Sequence, residues 1–375
     1  MPERNVPRPS ILFLSTSFLT RRENKALRGV QLFDMLLLEQ MLAEPINVTL
    51  IAESTWERRL RDRIDLSGAT VIRTPSLIKP LWNTLVAAPR LLATRHDAVV
   101  VGNPTRGLAP VIRLIRRRHP ATPFTVLAHR EVRPAFARAF SRAPVTVVCV
   151  NDAIATHARG LMPGARVETF YGVADADRFF PRASPKPAGE PVRFGVLGKL
   201  DNPWKGADDA VRAYLALPDD LRARCRLCLG SYERPQNKPR INEPGVEALD
   251  WMDSKETPGF LRTLDVLMVP STSHETFSQA IVQGMLTGLP VIARDMPVLA
   301  EKLDNGAGIV VGDVGAMTAA MARLAQEPET RAAMGAAARA TALERYVWRT
   351  DRFLADYALG DAAGWPASVR VRPGS

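Results

Sequence analysis

Short apolar or β-branched runs alternate along this chain with longer segments whose apolar residues lie three or four positions apart. Six runs in the first half predict buried strands: Ile11–Phe18, Asn47–Glu53, Ala69–Thr74, Ala98–Gly102, Phe124–His129 and Val145–Val150. Six runs in the second half predict another set: Val192–Gly198, Arg226–Ser231, Val246–Trp251, Val266–Pro270, Pro290–Ala293 and Gly308–Val311. Runs without polar alternation are typical of parallel strands that helices cover on both faces. The sequence therefore predicts an α/β fold in which strand–helix units form doubly wound sheets.

The segments between these runs predict helices and one long loop. Gly29–Leu42 and Gly107–Arg118 have helical apolar spacing, whereas Ala316–Gln326 and Glu329–Leu343 are rich in alanine. The polar stretch Tyr232–Pro244 is rich in Pro and Asn and predicts a loop.

Two features favour a division of the chain into two domains. Prolines at positions 181, 185, 187 and 191 predict a linker over residues 181–191. Residues 1–175 hold 25 Lys and Arg against 14 Asp and Glu, and residues 176–375 hold 25 of each, so the net charge of +11 lies in the first half. We expect one domain over 1–180, which would meet an anionic partner, and another over 192–345. A single large α/β domain is the alternative.

The composition excludes several classes of protein. No run approaches the roughly 20 apolar residues of a membrane span, and residues 1–10 lack the apolar segment of a secretory signal. Three cysteines cannot form a disulfide framework, and Cys225-x2-Cys228 has no second pair at zinc spacing, so we expect free thiols and a cytoplasmic protein. The basic segments lack interleaved aromatic residues, so no nucleic-acid partner is expected.

The segment from His274 to Met285 is a candidate ligand site. It follows the predicted strand Val266–Pro270 and combines a polar turn that holds Glu275 with a predicted helix. Open α/β sheets bind ligands at such strand ends, and helix N-termini bind anions. The N–H groups of Thr276, Phe277 and Ser278 would face a ligand that is both sugar-like and anionic. A Glu275 that only caps its own helix is the alternative.

A second candidate site follows the predicted strand Val192–Gly198. Gly198 permits close approach of the backbone, and Lys199 and Lys205 flank a short loop before a predicted helix. Two ammonium groups in this position would neutralise a diphosphate. Two solvated loop lysines are the alternative.

These motifs resemble those of one enzyme family. Glu275-x7-Gln283 resembles the E-x7-E signature of retaining GT-B glycosyltransferases, especially glycosyltransferase family 4 (glycosyl transferases group 1). Gly198-Lys199-Leu200 with Lys205-Gly206 resembles its G-R-L…K-G diphosphate site. Gly172-Val173-Ala174-Asp175 with Arg178-Phe179-Phe180-Pro181 resembles its G-V-D…F-x-P hinge segment. The resemblance is closest over about residues 165–350.

The resemblance implies a GT-B fold, that is, two Rossmann-like doubly wound domains facing a central cleft. It also implies that residues 346–360 form a helix that returns to the first domain, followed by a tail over 361–375. The Asp175-Ala176-Asp177 sequence lies in the hinge segment, so we do not expect it to bind a metal ion.

The resemblance also implies roles for individual residues. His129, at the end of a buried strand, matches the family's strand-end histidine and would be catalytic with Lys199, Lys205 and Glu275. The donor-binding residues would be Gly29, Gly198, Thr276, Phe277, Ser278 and Gln283. Gln283 replaces the glutamate that holds the nucleotide ribose, which would cost that contact about 1 kcal/mol.

The activity implied is metal-independent transfer of a hexose, with retention, from a UDP- or GDP-sugar co-substrate. No other cofactor is expected. The acceptor would be a glycan or lipid-linked glycan in cell-surface polysaccharide biosynthesis. Alternatives are a transferase with a small-molecule acceptor, a sugar-nucleotide epimerase of the same fold, and a catalytically silent nucleotide-sugar-binding protein.

Arginines beside an apolar stripe in Gly107–His119 allow peripheral docking on the anionic inner face of a membrane. An ordinary helix with one solvated face is the alternative interpretation.

Overall fold

The computed structural model describes residues 8–19, 29–75, 80–102, 104–140, 144–170, 174–184, 186–187, 189–231, 243–252 and 255–360. The chain divides into two compact units. The first comprises Met1–Tyr171 and Arg349–Ser375, and the second comprises Gly172–Trp348.

The first unit contains a parallel sheet with helices between consecutive strands. Its described strands are β1 (Ser10–Leu14), β2 (Asn47–Glu53), β3 (Ala69–Thr74), β4 (Ala98–Val101), β5 (Phe124–Ala128), β6 (Val145–Cys149) and β7 (Arg166–Thr169). Its described helices are α1 (Gly29–Ala43), α2 (Ser54–Arg61), α3 (Pro80–Ala93), α4 (Ala109–Arg118), α5 (Pro134–Ala137) and α6 (Asp152–Leu161).

The strand order of this sheet is β3-β2-β1-β4-β5-β6-β7, with all neighbours parallel. The order reverses between β1 and β4, and such a switch point opens a crevice at the carboxyl ends of the strands. Ser15 follows β1, Gly102 follows β4, and His129 follows β5 in the neighbouring position. These three residues therefore lie at the ligand-binding edge of the sheet.

The second unit repeats the same architecture. Its described strands are β8 (Val192–Gly198), β9 (Cys225–Ser231), β10 (Val246–Trp251), β11 (Val266–Val269), β12 (Val291–Arg294) and β13 (Gly308–Val311). Its described helices are α7 (Ala207–Leu215), α8 (Asp219–Arg222), α9 (Thr257–Thr263), α10 (Gln279–Leu286), α11 (Pro297–Ala300), α12 (Val314–Gln326) and α13 (Pro328–Arg345).

The parallel order of the second sheet is β10-β9-β8-β11-β12-β13, so its switch point lies between β8 and β11. Its core needs close contact between the strand backbone and neighbouring side chains. Gly195 in β8 is one such position, because a Cβ there would lie 2.1 Å from a methyl carbon of Leu264. The carboxyl ends of β8 and β11, at Gly198 and Val269, are the two strand ends that flank the switch point.

The chain returns to the first unit after Trp348. Helix α14 (Thr350–Phe353) continues into a π-helical segment, Leu354–Leu359. The Thr125 hydroxyl of β5 donates to the carbonyl of Tyr357, and Arg166 Nη1 donates to the carbonyl of Asp356 at 2.8 Å. None of the described helices has the length and apolar character needed to cross a bilayer.

The elements differ from the sequence-based prediction at two places in the first unit. The predicted strand Ile11–Phe18 ends at Leu14, because Ser15 Oγ accepts the N–H of Ser17 at 3.0 Å and starts a 3-10 turn over Thr16–Phe18. Strand β7 was not predicted, since it is short, polar and only half-buried. Most of the predicted loop Tyr232–Pro244 and the whole predicted tail 361–375 lie outside the described residues.

Candidate active site

A lysine and a glutamate meet at the switch point of the second unit. Lys205 Nζ lies 2.5 Å from Glu275 Oε1, and the Ser271 hydroxyl donates to the same oxygen at 2.8 Å. The Glu275 side chain is 7% exposed and that of Lys205 is 21% exposed, so water screens the pair only in part. Gly198, Lys205, Ser271, Glu275 and Ser278 line a small pocket together with apolar residues from the ends of β8 and β11.

The local backbone explains why Lys205 reaches Glu275. A 3-10 turn over Pro203–Lys205 ends at Gly206, whose φ of 71° is left-handed. A Cβ at Gly206 would lie 2.2 Å from the carbonyl oxygen of Pro270, so only glycine fits against this strand end. The N–H of Thr272 also donates to the carbonyl of Trp204 at 2.8 Å. The two loops that carry the ion pair are therefore joined through their backbones.

The loop that holds Glu275 is conformationally strained. His274 and Ser278 have φ values of 59° and 62°, and they are the non-glycine residues with positive φ among those described. Left-handed backbone costs a non-glycine residue about 1–2 kcal/mol, and such positions cluster at functional sites. Helix α10 begins at Gln279 with Ser278 as its N-cap, so Glu275 does not cap the helix.

The remaining predicted residues of this loop have separate environments. Thr276 is exposed, whereas Phe277 is buried and packs edge-on against Tyr346, with ring centroids 6.3 Å apart. Lys302 Nζ lies 4.8 Å from the centre of the Phe277 ring and donates to Glu301 and to the carbonyl of Val298, both at 2.7 Å. The Phe277 side chain thus anchors the loop to the core of the unit, and only its backbone can face a ligand.

Gln283 and Lys199 are close in sequence to residues that line the pocket. Gln283 is on α10 and is 7% exposed. Lys199 follows β8 and is half-buried, and its carbonyl accepts the N–H of Asn202 at 3.1 Å. The lining of the small pocket includes neither of these two residues.

In the first unit, His129 belongs to a different polar cluster. Its Nε2 lies 3.9 Å from Oδ1 of Asp34, a fully buried carboxyl group on α1. The hydroxyls of Ser15 and Ser17 both donate to Asp34 Oδ2 at 2.6 Å. Burial raises the pKa of Asp34 to about 7, although the two hydroxyls act in the opposite direction. Burial, with a smaller contribution from Arg130, lowers the pKa of His129 to about 3.

Three other residue groups from the sequence analysis have structural explanations. Gly29 is the first residue of α1, and the loop before it lies outside the described residues. Asp175 Oδ1 accepts the N–H of Asp177 at 2.8 Å, so this carboxylate shapes a turn. Cys225 and Cys228 are buried free thiols on β9, and burial raises the pKa of Cys228 to about 12.

The second unit carries the signature of a known family. Residues 191–327 match the family described as Glycosyl transferases group 1. This match covers about a third of the chain and lies wholly within the second unit. The matched range runs from β8 to the end of α12 and includes every residue that lines the small pocket.

Two of the proteins that this chain resembles are named as mannosyltransferases. Phosphatidyl-myo-inositol mannosyltransferase of Propionibacterium freudenreichii is 28% identical over 221 residues, which are 56% of this chain and 55% of the relative. The GDP-mannose-dependent alpha-(1-6)-phosphatidylinositol monomannoside mannosyltransferase of Mycolicibacterium smegmatis is 25% identical over 315 residues, 76% of this chain and 82% of the relative. The chain therefore spans about half the length of the first relative.

The fold is also found in solved structures. Anabaena Alr3699/HepE in complex with UDP superposes with a TM-score of 0.68 and 16% identity, over 90% of this chain and 96% of that chain. At this identity the likeness concerns the fold alone. It confirms the predicted α/β class and GT-B fold, with two parallel sheets of the doubly wound type.

Several residues of these clusters were not predicted from the sequence. The motifs do not single out Ser271, which donates to Glu275, or Trp204, whose ring centre lies 4.6 Å from Lys205 Nζ. Asp34 was hidden inside the apolar pattern of α1. Its signal was a carboxylate on the apolar side of the helix, flanked by Phe33 and Met35, which are both buried, whereas Glu39 of the same helix is exposed. A charge in that position needs a local partner or a raised pKa.

Proposed function

We propose that this chain transfers a hexosyl group, with retention of configuration, from a nucleotide-diphosphate sugar to an acceptor hydroxyl. The ion pair of Lys205 and Glu275 carries this proposal. It combines a group that attracts phosphate with a group that accepts hydrogen bonds from sugar hydroxyls, at a sheet switch point and inside the range that matches the family.

The reaction exchanges one bond to the anomeric carbon for another. The bond from C1 to the diphosphate oxygen breaks, and the acceptor oxygen bonds to C1 on the same face while its proton passes to the departing phosphate. Negative charge develops on the diphosphate, and Lys205 and Lys199 are the fixed positive groups that would stabilise it. No step needs a metal ion, because the ammonium groups supply the countercharge.

Donor binding would rearrange the ion pair. The diphosphate would draw Lys205 away from Glu275, and the freed Glu275 oxygen would accept hydrogen bonds from the sugar ring. Ser271 would keep the carboxylate in place during this exchange, since it donates to the same oxygen. The unliganded pair would thus hold both groups close to their working positions, which reduces the cost of ordering them on binding.

A GDP- or UDP-sugar is the proposed donor, with GDP-mannose the first to test. One relative is named as GDP-mannose-dependent, and the HepE structure contains UDP. His129 is proposed as the catalytic contribution of the first unit. Gly29, Gly198, Gln283 and the backbone of Thr276–Ser278 are proposed as donor-binding groups.

The proposed acceptor is a glycan or a lipid-linked glycan of cell-surface polysaccharide assembly. Both relatives carry phosphatidylinositol-type acceptors in their names, which favours an acceptor at a lipid surface. A small-molecule acceptor is distinguished by transfer to a soluble glycan without lipid.

We also propose that the first unit docks on the anionic cytoplasmic face of a membrane. Helices α3 and α4 pack together, with His119 Nε2 3.3 Å from the carbonyl of Leu92. Their outer residues, Trp82 and Val86 on α3 and Arg113, Leu114 and Arg117 on α4, are exposed and are called the α3–α4 face here. Between residues 66 and 130, Asp97 is the only acidic residue in the sequence. Exposed apolar groups among unopposed arginines suit an anionic lipid surface.

The experiment is a donor-turnover assay with the purified chain and a panel of GDP- and UDP-sugars. We expect release of nucleoside diphosphate from one donor, with the anomeric configuration retained in the product. Glu275→Gln should reduce the rate by about 100-fold or more. A donor that is converted without acceptor into its epimer would support the epimerase alternative, and no turnover of any donor would contradict the proposal.

A further inference from the structure

The strongest unexplained feature of the first unit is the buried carboxyl group of Asp34. It has no exposed surface, and its two oxygens have different environments. Oδ2 accepts hydrogen bonds from Ser15 and Ser17 at 2.6 Å each, whereas Oδ1 has no hydrogen-bond partner among the described residues. A buried polar atom without a partner costs about 1–3 kcal/mol, so a structural role alone does not account for Oδ1.

The nearest candidate hydrogen-bond partner of Asp34 Oδ1 is the His129 ring. His129 Nε2 is also buried without a hydrogen-bond partner in the described part of the chain, and it lies 3.9 Å from Asp34 Oδ1. An N–H···O bond spans about 2.7–3.2 Å, so an approach of about 1 Å would join the two atoms. Both groups stand at the switch point of the first sheet, where ligands of doubly wound folds bind.

The surroundings hold both side chains in this arrangement. The ring of Phe33 packs edge-on against the imidazole, with centroids 4.4 Å apart. Gly102, after β4, leaves the space that Asp34 occupies, because a Cβ there would lie 2.6 Å from Oδ1. The two serines fix the other oxygen, so Oδ1 cannot turn away from His129 without loss of their hydrogen bonds.

We propose that Asp34 is a positioning residue that sets the tautomer of the His129 imidazole through Nε2. An ionised Asp34 accepts a hydrogen bond from Nε2–H and leaves Nδ1 as an acceptor. A protonated Asp34 donates its O–H to Nε2 and makes Nδ1–H a donor. The proton state of one buried carboxyl group therefore decides which hydrogen bond the other ring nitrogen can offer.

Two influences on the titration of the pair come from the described residues. Burial dominates the raised pKa of Asp34, and the described groups that oppose it are the Ser15 and Ser17 hydroxyls. Arg130, which follows His129 in the chain, is the charged group that further lowers the pKa of the imidazole. With an Asp34 pKa of about 7, the tautomer would change close to neutral pH.

This inference rests on the proposed function only for its catalytic consequence, and the direct test needs no substrate. The chain has 5 histidines, so the ring ¹⁵N signals of His129 can be assigned by comparison with His129→Gln. In the wild-type protein, we expect Nε2 of His129 to have the chemical shift of an unprotonated ring nitrogen at about pH 6 and that of a protonated one at about pH 8. The shift of Nδ1 should change in the opposite direction. Asp34→Asn should abolish this change, and Glu39→Gln, an exposed acid-to-amide change on the same helix, should preserve it.

The wild-type titration decides the matter even if Asp34→Asn does not fold. Ring shifts of His129 that stay constant from pH 5 to pH 9 would overturn the proposal, whatever the enzyme does with sugar nucleotides. In the turnover assay, Asp34→Asn should reduce kcat by about tenfold and remove its pH dependence near neutrality, with little change in KM for the donor. Transferase activity with an unchanged pH profile in Asp34→Asn would contradict the role of Asp34 but not the proposed function.

Discussion

Lys205 and Glu275 form an ion pair at 2.5 Å although they lie 70 positions apart in the sequence. One follows β8 and the other follows β11, the two strands that flank the switch point of the second sheet. The sequence predicts that Lys205 contacts the diphosphate of the ligand and that Glu275 contacts its sugar. The fold brings these two side chains together. Their contact makes the pair neutral as a whole, so the attraction of Lys205 for phosphate is partly offset until a ligand separates the two groups.

The ion pair should be visible in stability as well as in binding. Lys205→Met leaves the nearly buried Glu275 carboxylate with Ser271 as its described hydrogen-bond donor, so the free energy of unfolding should fall by about 1–3 kcal/mol. Adding Glu275→Gln should recover most of this loss. Chemical unfolding of both single variants and the double variant gives the coupling energy. Lys255→Met, at an exposed lysine of the same unit, is the control, and additive effects of the two changes would refute the coupling.

Replacement of Gly206 should destabilise the protein through a steric clash as well as through its positive φ. Gly206→Ala adds strain at a φ of 71° and a clash with the Pro270 carbonyl, whereas Gly306→Ala meets the same strain at a φ of 74° with no atom within 4 Å. We expect Gly306→Ala to cost about 1 kcal/mol of unfolding free energy and Gly206→Ala about 1–3 kcal/mol more. Only Gly206→Ala should also weaken nucleotide binding. The measurement is thermal and chemical unfolding of both variants. An equal loss of stability in Gly206→Ala and Gly306→Ala would show that the Pro270 contact is unimportant.

The pH dependence of stability should report Asp34 and His129 as opposing contributions. The folded pKa of Asp34 is raised from 3.8 to about 7, so its contribution is complete below pH 4 and is lost as the pH rises to about 7. The folded pKa of His129 is lowered from 6.5 to about 3, so its contribution is complete above pH 6.5 and is lost as the pH falls toward 3. Between about pH 4 and pH 6.5 the two slopes cancel.

Single variants should show the separate contributions of Asp34 and His129 to the pH dependence of the free energy of unfolding. In Asp34→Asn the free energy of unfolding should rise by about 1.4 kcal/mol per pH unit between pH 4 and pH 6.5, relative to the wild-type protein. In His129→Gln it should fall with pH by a similar amount over the same interval. Urea unfolding at half-unit pH steps measures both slopes. Parallel curves for the two variants would contradict the opposite shifts of the pKa values.

The α3–α4 face should determine binding to anionic lipid. Arg113→Gln with Arg117→Gln should weaken binding to vesicles that contain phosphatidylglycerol by about 30-fold, because each arginine contributes about 1 kcal/mol. The same change at exposed Arg224 and Arg323 of the second unit is the matched control. Co-sedimentation with anionic and neutral vesicles measures the difference. Equal loss in both double variants would indicate attraction by net charge rather than by this face.

Most of the fold follows from the apolar runs. The predicted strand Val192–Gly198 coincides with β8, because a central parallel strand must be apolar on both faces. The predicted strand Val246–Trp251 also coincides with β10, although β10 lies at the edge of its sheet. Strand β7 escaped prediction because its sequence, Arg166–Thr169, has polar residues at three of four positions. A segment of this kind forms a strand only because β6 offers it an unpaired edge.

The candidate sites were predictable only where a residue stands in a motif. Lys205 and Glu275 could be named from their motifs, but the sequence does not contain the contact between them, which depends on the glycine at 206 and on the order of the strands. The sequence predicts that the backbone N–H of Phe277 faces the ligand, but it does not predict that the Phe277 ring packs against Tyr346. The role of Asp34 could not be predicted from the sequence, because it depends on contact with His129, which lies 95 positions away.

The central claim is that the second unit binds a nucleoside diphosphate beside Lys205. Isothermal titration calorimetry of the wild-type chain with GDP and UDP tests it most directly. We expect one nucleotide to bind with a stoichiometry of one, and Lys205→Met to weaken that binding by at least tenfold while Lys255→Met leaves it unchanged. Absence of heat with either nucleotide, or equal affinity in wild-type protein and Lys205→Met, would contradict the account.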